Sequence, residues 1–236
     1  MSSQAALMFS GGVDSTVAAV KLLDDFERIH LLTFANGYGH YAFGRTRRRV
    51  RELDERYPGR FVHFEASIKT MFEAVCLSSI KEDYARYGSA FMWCMGCKLC
   101  MHARSIIYCH QNGIEKMSDG SASDSDEMVE QMLLSVSMVY WLYDSWGIEY
   151  FVPVYHIGRD EKRQFLRDGG YHLGIPVLDR YLGIQPSCIP GELYYLPYIL
   201  FNKTPGHEEE TVARYIASKR EQLHGVIRAA IGKEAI

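Results

Sequence analysis

A chain of 236 residues with 47% apolar side chains can bury a sizeable core as one domain, or one domain with a small appendage, which excludes a disordered or fibrous protein. Its 26 Lys and Arg against 29 Asp and Glu leave a net charge of -3, so a global basic field for nucleic acid is absent and only a local patch remains open. No apolar run approaches the roughly 20 residues that span a bilayer, and Met1-Ser2-Ser3-Gln4 lacks the basic start of a secretion signal, so a cytoplasmic protein without membrane contact is expected.

Ala5 to Phe9 reads as a strand, followed by the turn Ser10-Gly11-Gly12-Val13-Asp14-Ser15 and a helix whose apolar stripe (Val13, Val17, Val20, Leu23) runs to Phe26. A second strand is expected over Ile29 to Ala35, and a helix over Gly44 to Tyr57, closed by Pro58-Gly59. A third strand covers Phe61 to Glu65, then a helix Ile68 to about Tyr87. Lys98 to Asn112 reads as a helix beginning just after a cysteine cluster, Ile114 to Ser118 as the fourth strand, Asp126 to Trp146 as a long helix and Tyr150 to Val154 as the fifth strand. Glu208 to Ile231 reads as a separate C-terminal helix. The alternation predicts an α/β fold, a parallel sheet of about five strands covered by helices on both faces, over residues 1–200, with a helical extension over 201–236 that packs on the domain or on a second subunit of a homodimer.

In such a sheet ligands gather beyond the carboxyl ends of the strands, where the loops after Phe9, Ala35 and Ser118 converge. A loop between a strand and a helix offers free backbone N–H groups and the positive end of the helix dipole, both suited to phosphate. Gly11 and Gly12 let that backbone come close, Ser10, Ser15 and Thr16 add hydroxyls, and Asp14 orients a metal ion or the loop itself. The Lys of a Walker loop is missing, and a plain helix cap is the bland alternative.

The string Ser-Gly-Gly-x-Asp-Ser after the first strand resembles the PP-loop of the ATP pyrophosphatases, which include tRNA thiolases, GMP synthetase, asparagine synthetase and 7-cyano-7-deazaguanine synthase. The resemblance implies an ATP-binding, Rossmann-like domain that cleaves ATP between the alpha and beta phosphates and forms a substrate adenylate. It also implies that backbone at the end of the second strand, Phe34 and Ala35, holds adenine.

Six cysteines without an export signal favour metal or catalytic roles over disulfides. Cys94, Cys97, Cys100 and His102 crowd nine residues ahead of the predicted helix, a place where thiols ionise more easily. Three thiols there need a fourth partner to close a metal site, and Cys188 is the candidate. Cys76 and Cys109 read as packed core thiols.

The stretch from Pro153-Val154 through Arg159 and Glu161, Gly174-Ile175-Pro176-Val177 and Asp179 to Cys188 resembles the tRNA 2-thiouridylases, with Arg159 where those enzymes carry Lys. There a similar string ends in the cysteine that carries persulfide sulfur, while a related branch holds a 4Fe-4S cluster on a Cys-x-x-Cys and one late Cys. The resemblance therefore implies, in order, a cluster on Cys94, Cys97 and Cys188 with Cys100 as extra ligand or neighbour, a persulfide pair, and a structural zinc. A cluster is favoured because sulfur transfer needs open coordination.

After the fourth strand, Ser118-Asp119-Gly120-Ser121-Ala122-Ser123-Asp124 gathers hydroxyls and carboxylates; Gly120 and Asp124 match the family's loop here while Ser121 and Ala122 depart from it. Asp119, Gly120 and Asp124 are the candidate cofactor-binding residues, an acidic residue here could hold magnesium on pyrophosphate, and helix capping is the alternative. Arg45, Arg47, Arg48, Arg49 and Arg51 form a patch able to meet phosphates on RNA, or a solvated helix face. The expectation is an ATP-dependent sulfurtransferase: Asp14 and Ser15 at the activating step, Cys94, Cys97 and Cys188 at the sulfur step, tRNA or a small molecule as acceptor, and sulfide or a donor protein as sulfur source. The alternative is a PP-loop ligase or amidotransferase, similar to 7-cyano-7-deazaguanine synthase, with structural zinc.

Overall fold

The computed structural model describes residues 3–173, 187–201 and 206–232. The resembling stretch 174–186, with Pro176 and Asp179, lies outside them. Strand β1 (Gln4–Met8) leads into helix α1 (Val13–Lys21), extended by a single 3-10 turn at Leu22–Asp24. Then follow β2 (Arg28–Ala35), the two-residue β3 (His40–Tyr41), α2 (Phe43–Arg56) and β4 (Phe61–Ser67). Helices α3 (Lys69–Val75), α4 (Ile80–Tyr87) and α5 (Phe91–Asn112) precede β5 (Lys116–Ser118). The remainder is α6 (Leu133–Asp144), β6 (Glu149–Phe151), α7 (Arg159–Asp168), β7 (Ser187–Cys188), α8 (Ile189–Leu200) and α9 (Glu209–Gly232).

The main sheet runs β4-β2-β1-β5-β6 with every pair parallel, the five-stranded architecture expected from the alternating pattern. Because it is covered on both faces, its central strands are apolar on both sides. Ala5, Leu7, Ile29 and Leu31 pack with Val17, Leu53 and Leu166 of α1, α2 and α7. Ala6, Leu32 and Phe34 belong to the larger cluster built on α3, α5, α6 and α9. Helix α9 joins that cluster through Val212, Tyr215, Ile216, Leu223 and Ile227, so it packs on the domain.

Several boundaries differ from the sequence pattern for local reasons. The single helix expected over Ile68 to Tyr87 is broken, since α3 ends at Val75 with Cys76 as its cap and, after a short 3-10 turn, Ser79 (φ -118°, ψ 13°) leaves helical geometry. The long helix expected from Asp126 begins only at Leu133; 3-10 turns at Ser123–Ser125 and Val129–Gln131 precede it. Helix α5 starts at Phe91 and not Lys98, so the cysteine cluster lies on the helix. Gly96 inside it reads as a helix breaker at the level of propensity, yet a Cβ there would lie 2.6 Å from Cys76 Sγ and 2.7 Å from the Tyr215 hydroxyl, so packing selects the glycine.

Candidate active site

The loop after β1 closes on itself. Gly11 turns the chain at φ 80°, Gly12 caps α1 with extended backbone, and its N–H donates to Ser10 Oγ at 3.2 Å. Ser15 Oγ lies 3.2 Å from Ser10 Oγ, and Thr16 Oγ1 donates to the Gly12 carbonyl at 2.6 Å. Helix α2 buttresses the loop: Thr46 Oγ1 donates to the Ser10 carbonyl at 2.7 Å. On the other side Gly120 presses so near that a Cβ would meet Ser15 N at 2.8 Å, bringing the acidic loop after β5 against the start of α1. Short hydroxyls and open backbone at a helix N-terminus thus face a cleft of about 290 Å³ lined by Ser10, Asp14, Ser15, Phe34, Lys98, Asp119, Gly120 and Cys188.

Each aspartate of this cleft has a lysine partner. Lys162 of α7, fully buried, places Nζ 2.6 Å from Asp14 Oδ1 and 3.4 Å from Asp124. Lys98 of α5 sits 2.6 Å from Asp119 Oδ2 and also donates to Ser121 Oγ. Burial alone raises the Asp119 carboxyl, but the Lys98 ammonium and hydrogen bonds from Lys98 and Ser121 outweigh it and hold the pKa at about 2. His102, buried beneath with Nε2 3.8 Å from the same oxygen, is kept neutral first by burial and then by Lys98, at about 3. The lysine reaching the phosphate loop is therefore Lys162; Arg159, three residues before it, donates to Ser125 Oγ at 3.3 Å. Phe34 lines the cleft, whereas the Ala35 carbonyl is already bonded by Ile68 N at 2.8 Å.

A second cavity, of about 320 Å³, adjoins the first and is lined by Cys94, Cys97, Cys188, Trp93 and Tyr195. Lys98, Met101, Glu130, His40, Ser187 and Cys188 line both. Cys188 reaches this junction through a two-residue antiparallel ladder in which it faces His40 and Ser187 faces Tyr41. A Cβ on Gly191 would lie 3.6 Å from Cys94 Sγ and 3.9 Å from Cys188 Sγ, so both sulfurs overlook one spot. Burial pushes the Cys94 and Cys97 thiols up; at Cys97 the Asn36 side-chain amide, donating to Sγ at 3.3 Å, opposes the shift. Burial also raises the Glu130 carboxyl, which accepts from the Tyr195 hydroxyl at 3.2 Å.

The sequence places Cys100 with this group, and the structure does not. A helix turns about 100° per residue, so Cys100 points about 120° away from Cys94, with Cys97 midway. Cys100 faces the core, its Sγ 3.9 Å from that of Cys76. Thiolates are suitable donors for iron or zinc, but among the described residues no three His, Cys, Asp or Glu side chains gather in metal-holding geometry. The cysteines as folded do not fit a single-ion zinc site, while Cys94, Cys97 and Cys188 open on one cavity. The arginine patch is also partly internal: Arg49 is buried between Glu52 and the His172 carbonyl, and Arg47 is paired with Glu65 at 2.6 Å, while Arg48 and Arg51 are exposed.

Asn36, His40, Glu130 and Lys162 escape the motif reading. For Lys162 the clue is its place one residue after Glu161 in the resembling stretch; the other three carry no local signal.

The sequence matches, over residues 1–125, the family described as thiamine biosynthesis protein (ThiI). No curated protein matches it. Among solved structures, a 4-thiouridine synthetase in complex with RNA and with bound ATP superposes at a TM-score of 0.62 and 15% identity, over 98% of this chain and 53% of that one. The NH3-dependent NAD synthetase of Campylobacter jejuni, in complex with nitrate, gives a TM-score of 0.53 at 12% identity, over 95% and 86%. The likeness to both is one of fold, and the chain spans about half the length of the 4-thiouridine synthetase. No helix among the described residues is long and apolar enough to cross a membrane.

Proposed function

The chain belongs to the thiamine biosynthesis protein (ThiI) family of PP-loop ATP pyrophosphatases, and from that premise we propose that it is an ATP-dependent sulfurtransferase acting on a uridine of RNA, tRNA being the expected acceptor. The observation that carries this reading is the shared junction: one set of residues, Lys98 and Cys188 among them, lines both the phosphate-loop cleft and the thiol cavity. The acceptor class follows the solved relative, a 4-thiouridine synthetase bound to RNA.

In this mechanism Ser10 to Thr16 bind the ATP phosphates, Phe34 and Ala35 flank adenine, and Lys162 and Lys98 offset phosphate charge. The acceptor oxygen attacks the alpha phosphate and pyrophosphate leaves, so the oxygen departs later as AMP. Magnesium entering with ATP would neutralise the pyrophosphate, with Asp119 and Asp124 as its carboxylate ligands. Cys188 carries the sulfur as a persulfide. Its terminal sulfur bonds to the activated carbon as AMP leaves; Cys97, whose thiolate Asn36 favours, then attacks Cys188 Sγ, releasing the thiolated base and leaving a Cys97–Cys188 disulfide. Cys94 is the third thiol at the mouth.

The test is reconstitution with ATP, magnesium, a small-molecule persulfide and unmodified tRNA, followed by nucleoside mass spectrometry and assay of AMP and pyrophosphate. ATP turnover without any thiolated nucleoside would sink the reading. The convergence of three thiols on one cavity supports a second version in which Cys94, Cys97 and Cys188 would hold a 4Fe-4S cluster whose open iron would supply a binding place for sulfur; iron and acid-labile sulfide in an anaerobic preparation select it, and one zinc per chain selects the ligase or amidotransferase.

A further inference from the structure

Two thiols outside the proposed chemistry lie directly behind it. Cys76, closing α3, and Cys100 of α5 are both buried in the core, with sulfurs 3.9 Å apart. They meet because α5 carries Gly96 one turn before Cys100, and a methyl at that position would collide with Cys76 Sγ at 2.6 Å. A glycine inside a 22-residue helix is unfavourable relative to alanine, so the close approach is maintained against local helix stability. The contact with Cys76, and then burial, pushes the Cys100 thiol up.

Cys97 connects this pair to the thiol cavity. It lies one turn before Cys100 on α5, it lines the cavity with Cys188, and its chain neighbour Gly96 is the position against which Cys76 Sγ packs. Cavity-facing, intermediate and core-facing thiols thus follow the helix surface in order.

We propose that Cys76 and Cys100 form an internal dithiol that takes over the disulfide left in the thiol cavity after sulfur transfer. Cys76 gives up its proton and attacks Cys97 Sγ; the Cys97–Cys188 bond breaks and the departing Cys188 thiolate takes that proton. Cys100 then loses its proton to the departing Cys97 thiolate as it attacks Cys76 Sγ, closing a Cys76–Cys100 disulfide. Two electrons and two protons move from the buried pair to the cavity pair, which is free for the next sulfur. An external thiol restores the buried pair by the same route in reverse, through the cavity. Closure requires the two sulfurs to come from 3.9 Å to about 2.05 Å.

The inference rests on the sulfur-transfer reading, but its test needs neither RNA nor ATP. The fully reduced full-length chain is oxidised with one equivalent of diamide, quenched over time with N-ethylmaleimide, and its cross-links are mapped by peptide mass spectrometry. The expected result is early cross-linking among Cys94, Cys97 and Cys188, followed by at least tenfold dominance of Cys76–Cys100. In Cys97→Ser, formation of the buried cross-link slows at least tenfold. In Gly96→Ala, whose methyl would lie 2.6 Å from Cys76 Sγ and so separates the two sulfurs, the cross-link stays in the cavity. Cross-links that remain in the cavity of the wild-type chain, or a buried cross-link that forms as fast without Cys97, overturn the proposal. Failure of the sulfurtransferase reading shows instead in the absence of a thiolated nucleoside.

Discussion

Lys162 Nζ and Asp14 Oδ1 lie 2.6 Å apart, tying the start of the first helix to α7, with Asp124 as a third member at 3.4 Å. A buried lysine held between two carboxylates is placed to exchange one of them for a phosphate oxygen. Lys162→Met therefore lowers ATP-dependent pyrophosphate release by at least ~100-fold, the usual loss when a preorganised charge is removed. Lys162→Arg does not restore it, because a planar fork does not fit a site shaped for an ammonium. Pyrophosphate release above a tenth of wild type in Lys162→Met would remove this residue from the phosphate site.

The contact between Gly120 and the backbone of Ser15 gives a second test. An added methyl meets Ser15 N at 2.8 Å and Cα at 2.9 Å, backbone atoms that cannot swing aside. Gly120→Ala is expected to weaken ATP binding at least tenfold in calorimetry while lowering stability by about 1–3 kcal/mol, the range for overpacking. Unchanged ATP affinity would show that the two loops do not depend on each other.

The arginine patch separates into residues of different consequence. Arg49 is 4% exposed and held by Glu52, so Arg49→Ala should cost about 3 kcal/mol in urea unfolding, the scale for breaking a buried pair. Arg48→Ala and Arg51→Ala, on the exposed face, should leave stability unchanged and weaken RNA binding in a salt-dependent manner. An equal effect of all three on either measurement contradicts this division.

His30 predicts a pH effect remote from the cleft. Its Nδ1 accepts from the Tyr108 hydroxyl at 2.9 Å when Nε2–H donates to Gln4 Oε1 at 2.8 Å, an arrangement that needs the neutral ring. Burial, and then the charge of Arg28, lowers its pKa below 6.5. Below pH 6.5 the unfolded chain binds a proton that the folded chain refuses, so stability falls with pH by at most about 1.4 kcal/mol per unit from this group. His30→Gln should flatten urea unfolding midpoints between pH 6.5 and 5; an unaltered slope assigns the acid sensitivity elsewhere.

The β1 strand, the phosphate loop and α1 are legible in the sequence because each is specified within a few residues: an apolar run, two glycines, then a stripe at helical spacing. The start of α5 is not, because Gly96 carries a local signal against helix whose reason, the sulfur of Cys76, lies twenty residues away in the chain. Cys100 is misplaced for the same reason: spacing groups it with Cys94 and Cys97, while helical rotation sends it into the core. Lys162 leaves only a weak trace, since its partners Asp14 and Asp124 belong to loops brought together by the sheet.

Cys97 and Lys98 are consecutive residues of one rigid helix, one at the thiols and the other at the acidic end of the nucleotide cleft. No hinge separates them, so any slide or tilt of α5 moves both at once. For the proposed reaction this means channelling: a labile adenylate is born beside the sulfur that consumes it and has no solvent crossing to survive. Its leakage to water is then governed by how long the acceptor stays seated, which makes the acceptor's residence time the fidelity control of the enzyme.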